Sequence, residues 1–209
     1  PPSELTVSDS TAPETANSTA LDSQAIKRYL KIMREQCDRE LHLINDLLDI
    51  RAIDADAYPI EPTLIHIQQW LPQILEAFEE RIHNQNQFLQ IDIPADLPAH
   101  FIDRQSLTRI LSELLNNACK YTPPRETIRV SVNITLPPQH QTLNPSFPFS
   151  HYLNIAIANS GVEIPPEESL QIFNPFYRIP NGDPYKQGGT GLGLALVKNW
   201  LSAYTVRSP

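Results

Sequence analysis

The feature that most constrains the fold is a strict alternation of apolar and polar residues near the middle of the chain. Apolar side chains stand at every second position over residues 128–136, and polar ones fill the positions between them. A strand patterned in this way buries one face and exposes the other, whereas a strand of a doubly covered parallel sheet is apolar on both faces. The alternation therefore predicts a sheet that helices cover on one side only.

Periodicity elsewhere completes this architecture. Further strands are predicted over 88–93 and 153–157, with a short extended piece at 101–102; helices are predicted over 64–86, from the N-cap Asp103 to about Tyr121, over 167–173 and over 191–203. We therefore expect an α+β fold, a two-layer α/β sandwich with a mixed or antiparallel sheet and helices on one face. The proline-rich stretch 137–150 is predicted to be a long loop.

A long helix is expected to precede this domain. Apolar residues recur at steps of three and four between Ile26 and Leu48, which predicts one helix over 23–54. An unbroken apolar stripe of this length is typical of a coiled coil or a helical hairpin, so we expect it to pair with a second copy, with an upstream helix, or with both. Residues 1–22 are mostly Ser, Thr, Pro, Ala and acidic residues, which predicts a disordered linker or long loop.

Charge and composition exclude several classes of partner. The net charge is −8 and no basic stripe is present, which argues against nucleic acid and anionic membranes as partners. No apolar run approaches the roughly 18 residues that would span a bilayer, so a cytoplasmic location is expected. Cys37 and Cys119 both lie in helical patterns with apolar neighbours, and we expect two buried thiols rather than a disulfide.

Glycine is used in one place above all. The chain has 6 glycines, and four of them, Gly188, Gly189, Gly191 and Gly193, fall within six consecutive residues at the start of a predicted helix. Glycines there let backbone N–H groups approach a phosphate, which the helix dipole also favours. No Gly-Lys-Ser/Thr follows, so this is not a Walker-type loop. A dinucleotide fingerprint is also excluded, because the required preceding strand and later acidic residue are missing.

Three other segments carry polar or aromatic groups in suggestive positions. On a helix, Glu113, Asn117 and Lys120 share one face, opposite a buried apolar side; alone, such a stripe is usually only a solvated surface. Residues 158–165 are predicted to form the end of a strand and the turn that follows it. The aromatic residues of 172–178 are more often core packing than ligand contacts.

The order of these motifs carries a resemblance. Glu-x-x-x-Asn on a helix, Asn-x-Gly after a strand, Phe-x-x-Phe-Tyr-Arg, and then Gly-Gly-Thr-Gly-Leu-Gly-Leu opening a helix resemble the ATP-binding domain of sensor histidine kinases. That domain belongs to the wider family of gyrase-type ATPases, Hsp90 and MutL, with the Bergerat-type fold. The resemblance implies a catalytic domain over 55–209 whose last strands are missing. It also identifies 23–54 as the second helix of a dimerisation and phosphotransfer hairpin. The local motif sequences look cyanobacterial.

The resemblance assigns a role to each matching residue. Asn117 would be a Mg²⁺ ligand, Glu113 would orient metal-bound water, Lys120 would meet phosphate and Tyr121 would lie against the adenine or ribose. Asn159 stands where the family usually has an Asp that binds the adenine amino group. The remaining nucleotide contacts would come from the turn residues Gly161 and Ile164, the lid residues Phe173, Arg178 and Lys186, and the phosphate-cradling residues Gly189, Thr190, Gly191, Leu192 and Gly193.

The implied function is phosphoryl transfer from Mg²⁺·ATP to a histidine in two-component signalling, with a response regulator and a homodimeric partner. None of the six histidines is followed by Glu or Asp as the family's phosphoacceptor is, so the acceptor is expected outside this chain, upstream of Pro1. Asn159 and Glu163 depart from the usual Asp and Gly. Two alternatives stay open: a non-catalytic nucleotide-sensing or docking module, and an ATPase or serine kinase of the wider family.

Overall fold

A long helix, α1, covers Glu14–Asp54. It is seen in a computed structural model that describes residues 14–55, 59–135, 152–180 and 189–207. The predicted helix start at residue 23 is wrong, because residues 14–22 of the predicted linker are helical. This stretch contains Ala and Leu, both strong helix formers, and its Ser and Thr oppose a helix by only tenths of a kcal/mol each. The rest of the predicted linker, residues 1–13, lies outside the described residues.

The chain divides into two compact units, Pro1–Asn45 and Asp46–Pro209. In the first unit the described side chains of α1 are largely exposed, including Ile26, Leu30 and Met33. Its partner helix therefore stays a prediction. Cys37 is exposed as well, so the expectation of two buried thiols is wrong for this residue. Cys37 lies on the apolar stripe of α1, and the residues that the structure describes leave that stripe exposed.

The described residues of the second unit form five strands in two sheets. β1 (Pro62–Ile65) pairs antiparallel with β3 (His100–Asp103). In the larger sheet, β4 (Thr127–Thr135) lies between β2 (Phe88–Asp92), to which it is parallel, and β5 (Tyr152–Asn159), to which it is antiparallel. The helices are α2 (Ile67–Asn84), α3 (Arg104–Tyr121) and α4 (Gly193–Arg207). The mixed sheet of the predicted two-layer sandwich is confirmed.

The core lies between the larger sheet and the helices. Ile128, Val130 and Val132 of β4 are buried, whereas Arg129 between them and Asn133 after them are exposed. The buried side packs with apolar residues of α2 and α3, including Leu71, Leu75, Leu111 and Leu115. A second cluster joins Ile53, at the end of α1, to Ile110 of α3 and to Leu196 and Trp200 of α4. The alternation of β4 therefore specifies which face the helices cover.

Two predicted helices differ from the structure. The helix predicted over 64–86 begins only at Ile67, because Leu64 and Ile65 belong to β1 and pair with Phe101 and His100. A short apolar run fits a strand as well as a helix, and here the partner strand decides. The helix predicted over 167–173 is instead a series of turns ending in a 3₁₀ turn, Gln171–Phe173. Seven residues form too few hydrogen bonds to offset helix nucleation. The predicted loop 137–150 lies outside the described residues.

Helix α3, which carries most of the candidate site, has a well-defined start. Asp103 is its N-cap, and its carboxylate accepts hydrogen bonds from the backbone N–H of Ser106 at 2.6 Å and of Glu61 at 2.9 Å. Burial raises the pKa of Asp103, but hydrogen bonds from Ser106, Glu61 and Gln105 together lower it more, so the net pKa falls below the ordinary 3.8. The cap therefore holds the first turn of α3 and the edge of β1 at once.

No helix among the described residues combines the length and apolar character needed to cross a bilayer.

Candidate nucleotide site

The polar face of α3 presents three candidate side chains away from the core. Glu113, Asn117 and Lys120 are each half-buried, while Leu115 and Ala118 on the opposite side of the helix are buried. Burial of the apolar side fixes the rotation of α3, and the helical repeat then places the polar residues on one face. The predicted common face is therefore present.

The segment that precedes α4, Gly189–Gly193, lies directly against this face; we call it the glycine segment. A Cβ atom added to Gly193 would lie 2.5 Å from Oε2 of Glu113 and 3.9 Å from Nδ2 of Asn117. A Cβ atom added to Gly189 would lie 2.7 Å from Nζ of Lys120. The helix face and the glycines to which the resemblance assigns the same nucleotide are thus in contact. A side chain on Gly193 or Gly189 would therefore displace the end of the Glu113 or Lys120 side chain, whereas the distance to Asn117 is an ordinary van der Waals contact.

Within the glycine segment, one residue is an anchor. Leu192 is completely buried, and its backbone carbonyl accepts the first bond of α4 from Leu196 N–H at 2.8 Å. Its own N–H donates to Oγ1 of Thr190 at 3.3 Å. The buried leucine therefore fixes the segment in the core, while the glycines on either side of it keep the backbone accessible to the polar face of α3.

Gly191 joins the glycine segment to the preceding chain. Its φ of +75° lies in the left-handed region, and an added Cβ would lie between 2.8 and 3.0 Å from the backbone of Phe176. The Gly191 carbonyl also accepts a hydrogen bond from Phe176 N–H at 2.9 Å. Phe176 itself has a φ of +65° and an exposed side chain. Backbone pairing thus brings the predicted lid segment to the site.

The C-terminal end of α3 carries a cation beside an aromatic ring. Nζ of Lys120 donates to the hydroxyl of Tyr121 at 2.9 Å and lies 4.5 Å from the centre of its ring. The cation and the glycine segment together form a surface suited to an anion, and the ring offers a flat apolar surface beside it.

The predicted adenine contacts follow the end of β5. Asn159, the last residue of β5, is exposed, and Gly161 has a φ of +78°. A Cβ atom on Gly161 would lie 2.6 Å from Cγ of Glu126 and 3.0 Å from Cδ of Pro123. The hydroxyl of Ser160 donates to Glu126 at 2.5 Å. The turn is thus seated on the residues that follow α3, although Ile164 beyond it is half exposed.

The remaining predicted residues belong to the segment before the glycine segment. Phe173 ends the 3₁₀ turn and is partly buried, and Arg178 is exposed. Tyr177 donates its hydroxyl to Glu168, and this hydrogen bond raises the pKa of the phenol. Lys186 and Gly188 lie outside the described residues.

The oxygen groups of Glu113 and Asn117 suit a metal ion that also takes ligands from a bound phosphate and from water. Glu113 and Asn117 supply oxygens, the donor type that Mg²⁺ prefers. In the part of the chain that the structure describes, no group of three or more His, Cys, Asp or Glu side chains could hold a metal ion. The donor set therefore suits Mg²⁺ bound together with phosphate oxygens and water, not a metal held by protein alone.

Sequence reasoning missed two residues that organise this site. Glu126 bonds the turn after β5, and the Phe176 backbone pairs with Gly191. Glu126 lies two residues before the strand predicted over 128–136, so its place just before β4 could have been found. The positive φ of Phe176 has no sequence signal, because aromatic residues rarely adopt that conformation.

Comparison with known proteins agrees with this geometry. The family described as histidine kinase-, DNA gyrase B- and HSP90-like ATPases matches residues 102–207. The sensor histidine kinase WalK of Bacillus subtilis (strain 168) is 28% identical over 177 residues, which are 85% of this chain and 27% of WalK. The chain spans less than half the length of the curated relatives it matches first.

Solved structures share the fold. ShkA, in complex with AMPPNP, has a TM-score of 0.67 at 22% identity, over 86% of this chain and 34% of its own. The histidine kinase ThkA, in complex with the response regulator TrrA, has a TM-score of 0.53 at 19% identity, over 73% of this chain and 40% of its own. At these identities the two structures show the fold alone, and the cyanobacterial character of the motifs stays a prediction. The family match covers half of the chain, and the chain belongs to the histidine kinase-, DNA gyrase B- and HSP90-like ATPases.

Proposed function

We propose that this chain binds Mg²⁺·ATP between α3 and the glycine segment, and that it is the catalytic part of a sensor histidine kinase. In the longer protein it would transfer the γ-phosphoryl group to a histidine outside this chain. The observation that carries the proposal is the contact of Gly189 and Gly193 with the side chains of Lys120 and Glu113. A cation, two oxygen donors and accessible backbone then meet in one place.

Phosphoryl transfer needs positioning and charge neutralisation more than covalent participation by the protein. Asn117 would hold Mg²⁺ through its carboxamide oxygen, and Glu113 would orient water on the metal. When bound, Mg²⁺ supplies neutralisation of phosphate charge. Lys120 would bind a phosphate oxygen, and the glycine segment would hold the phosphates through backbone N–H groups.

The other predicted residues would bind the base and cover the phosphates. Tyr121 would lie along the adenine or ribose, and Asn159 would accept a hydrogen bond from the adenine amino group. Gly161 and Ile164 would line the base, and Phe173, Arg178 and Lys186 would belong to the lid. The AMPPNP bound to ShkA supports a nucleotide as the ligand of this fold.

We further propose three properties of the longer protein. ThkA forms a complex with the response regulator TrrA, which supports a response regulator as a partner of the longer protein. The exposed apolar stripe of α1 supports homodimerisation through a helical hairpin. Both roles fit a location in the cytoplasm, where ATP and response regulators are present.

The test is calorimetric titration of the chain with AMPPNP and Mg²⁺, using two neighbouring carboxamides. Asn117→Ala should abolish the Mg²⁺-dependent part of binding. Asn116→Ala is the matched control, because Asn116 accepts a hydrogen bond from Arg81 at 2.8 Å instead of facing the glycine segment. No binding by the unmodified chain, or equal loss in the two variants, would contradict the proposal.

A second candidate, a nucleotide-sensing module without transferase activity, is favoured by one substitution. Asn159 lacks the charge with which an Asp would bind the adenine amino group, so adenine affinity should be reduced. Asn159→Asp should then tighten AMPPNP binding several-fold. Joining the chain to its natural upstream segment separates the candidates: acid-labile phosphohistidine supports the kinase, and its absence despite ATP binding supports the module.

A further inference from the structure

We infer that Gln87 is a positioning residue for the nucleotide site, acting through the C-terminal end of α3; this inference rests on the function proposed above. Gln87 lies between α2 and β2, and only 7% of its surface is exposed. Its Nε2 donates hydrogen bonds to the carbonyl of Cys119 at 2.9 Å and to the carbonyl of Thr122. Lys120 and Tyr121, the two site residues at this end of α3, lie between those carbonyls.

The reason that α3 needs such a donor is general. The last carbonyls of a helix have no partner within the helix, and an end without partners frays. The carbonyl of Ala118 accepts from the N–H and the hydroxyl of Thr122 at 3.0 and 2.6 Å. The side chain of Gln87 serves the next carbonyl along, and it also reaches past the end of the helix to Thr122.

Gln87 can define a position because its own backbone is held on both sides. Its N–H donates to the carbonyl of Ile82 near the end of α2 at 3.0 Å. The next residue, Phe88, donates its N–H to the carbonyl of Glu126 at 2.9 Å and begins β2. The side chain is therefore anchored to the sheet and to α2 while it bonds α3.

The connection between α2 and β2, which contains Gln87, is also linked to the side of the site that is proposed to bind the base. Asn86 and Arg125 have φ angles of +54° and +70°, and Arg125 N–H donates to the Asn86 carbonyl at 2.6 Å. Glu126, next to Arg125, bonds Ser160 in the turn after β5. Gln87 thus lies where the C-terminal ends of α2 and α3 meet the start of β2. It positions the backbone of Lys120 and Tyr121 without facing the ligand.

The test compares Gln87→Met with Gln90→Met in the full chain. Methionine keeps the approximate volume of glutamine but cannot donate a hydrogen bond. Gln90 is the matched control, because it is an exposed glutamine of β2 that accepts from Arg129 at 3.1 Å on the solvent side. Affinity for AMPPNP with Mg²⁺ is measured for each variant at a temperature well below its own unfolding midpoint, where all molecules are folded.

The Gln87→Met variant should bind AMPPNP about tenfold more weakly, because the loss of these hydrogen bonds would displace Lys120 and Tyr121 and small displacements in a site are costly. Gln90→Met should bind as the unmodified chain does. A purely structural role for Gln87 would lower the unfolding midpoint and leave the affinity of the folded molecules unchanged, and this result would overturn the inference. Absence of binding by the unmodified chain would instead defeat the proposed function.

A second measurement covers the case in which Gln87→Met does not fold. In the unmodified chain, the side-chain amide ¹⁵N signal of Gln87 should shift when AMPPNP and Mg²⁺ are added, whereas that of Gln90 should not. A Gln87 signal that stays constant while the backbone signals of Lys120 and Tyr121 move would overturn the inference.

Discussion

Helix α3 and the glycine segment meet at the same site but contribute to it in different ways. α3 offers side-chain groups from a face that the core does not use, since its opposite face carries the buried residues Leu111 and Leu115. The glycine segment offers backbone, and the same residues that would hold a ligand also fix the chain path through Gly191 and Leu192. Substitutions on the polar face of α3 should therefore change ligand binding without changing stability. Substitutions in the glycine segment should change both.

The largest expected effect comes from Gly191→Ala. A residue with a Cβ in the left-handed region costs roughly 1–2 kcal/mol, and this Cβ would also collide with the Phe176 backbone. We expect loss of AMPPNP binding together with a lower unfolding midpoint, measured by calorimetry and thermal denaturation. Gly193→Ala is the control for strain, because Gly193 does not have a left-handed φ and its new methyl group would meet side-chain atoms of Glu113 and Asn117, not backbone. Equal stability of the two variants would break the comparison.

A smaller effect, confined to the ligand, is expected for Lys120→Met. A hydrogen bond to a charged group contributes about 1.5–3 kcal/mol, so affinity for the triphosphate should fall tenfold or more. Affinity for adenosine should change much less, and so should the unfolding midpoint. Lys198→Met, on the exposed side of α4, should bind both ligands normally. A parallel loss of triphosphate and adenosine binding would show that Lys120 supports the fold instead.

A substitution at the N-cap of α3 tests how much the first turn of this helix contributes to stability. Asp103→Ala should lower the free energy of unfolding by about 1 kcal/mol at pH 7, in denaturant titration. The folded pKa of Asp103 lies below its ordinary 3.8, so the ionised cap stabilises the fold above pH 3.8. As pH falls through the folded pKa, that contribution is lost and the difference between variant and unmodified chain should shrink. Asp96→Ala, in an exposed loop, should show neither effect.

The smallest perturbation is chemical labelling of the two thiols. Burial raises the pKa of Cys119, on the core side of α3, whereas Cys37 on α1 is exposed. At pH 8 a thiol reagent should modify Cys37 quickly and Cys119 only at the rate at which α3 opens. Addition of AMPPNP and Mg²⁺ should slow Cys119 further and leave Cys37 unchanged. Rapid labelling of Cys119 would mean that the core side of α3 is not closed.

The sequence predicted those parts of the fold that local residue patterns determine. Asp103 and the apolar repeat set the limits of α3, and the alternation of β4 identified the covered face of the sheet. The errors arose where a distant partner decides. Leu64 and Ile65 form a strand because Phe101 and His100 lie beside them, and Cys37 is exposed because none of the described residues covers its stripe.

The site was predicted to a similar degree. The contact between α3 and the glycine segment followed from a resemblance in motif order, and the roles of the individual residues remain predictions. What the sequence could not provide was the support around them: the backbone of Phe176, the hydrogen bond that Glu126 accepts from Ser160, and the buried amide of Gln87. Such contacts depend on which chain ends meet, and no local pattern encodes them.

The double use of the Asp103 carboxylate has a consequence for the order in which the molecule folds. Its two oxygens join the start of α3 to Glu61, 42 residues earlier. Closing a loop of that length costs on the order of 3 kcal/mol in chain entropy before any contact offsets it. The bond from Ser106 is local and can form with the helix itself, whereas the bond from Glu61 can form only after the intervening strands β1 and β2 and helix α2 have docked. The cap of α3 should therefore be completed late in folding.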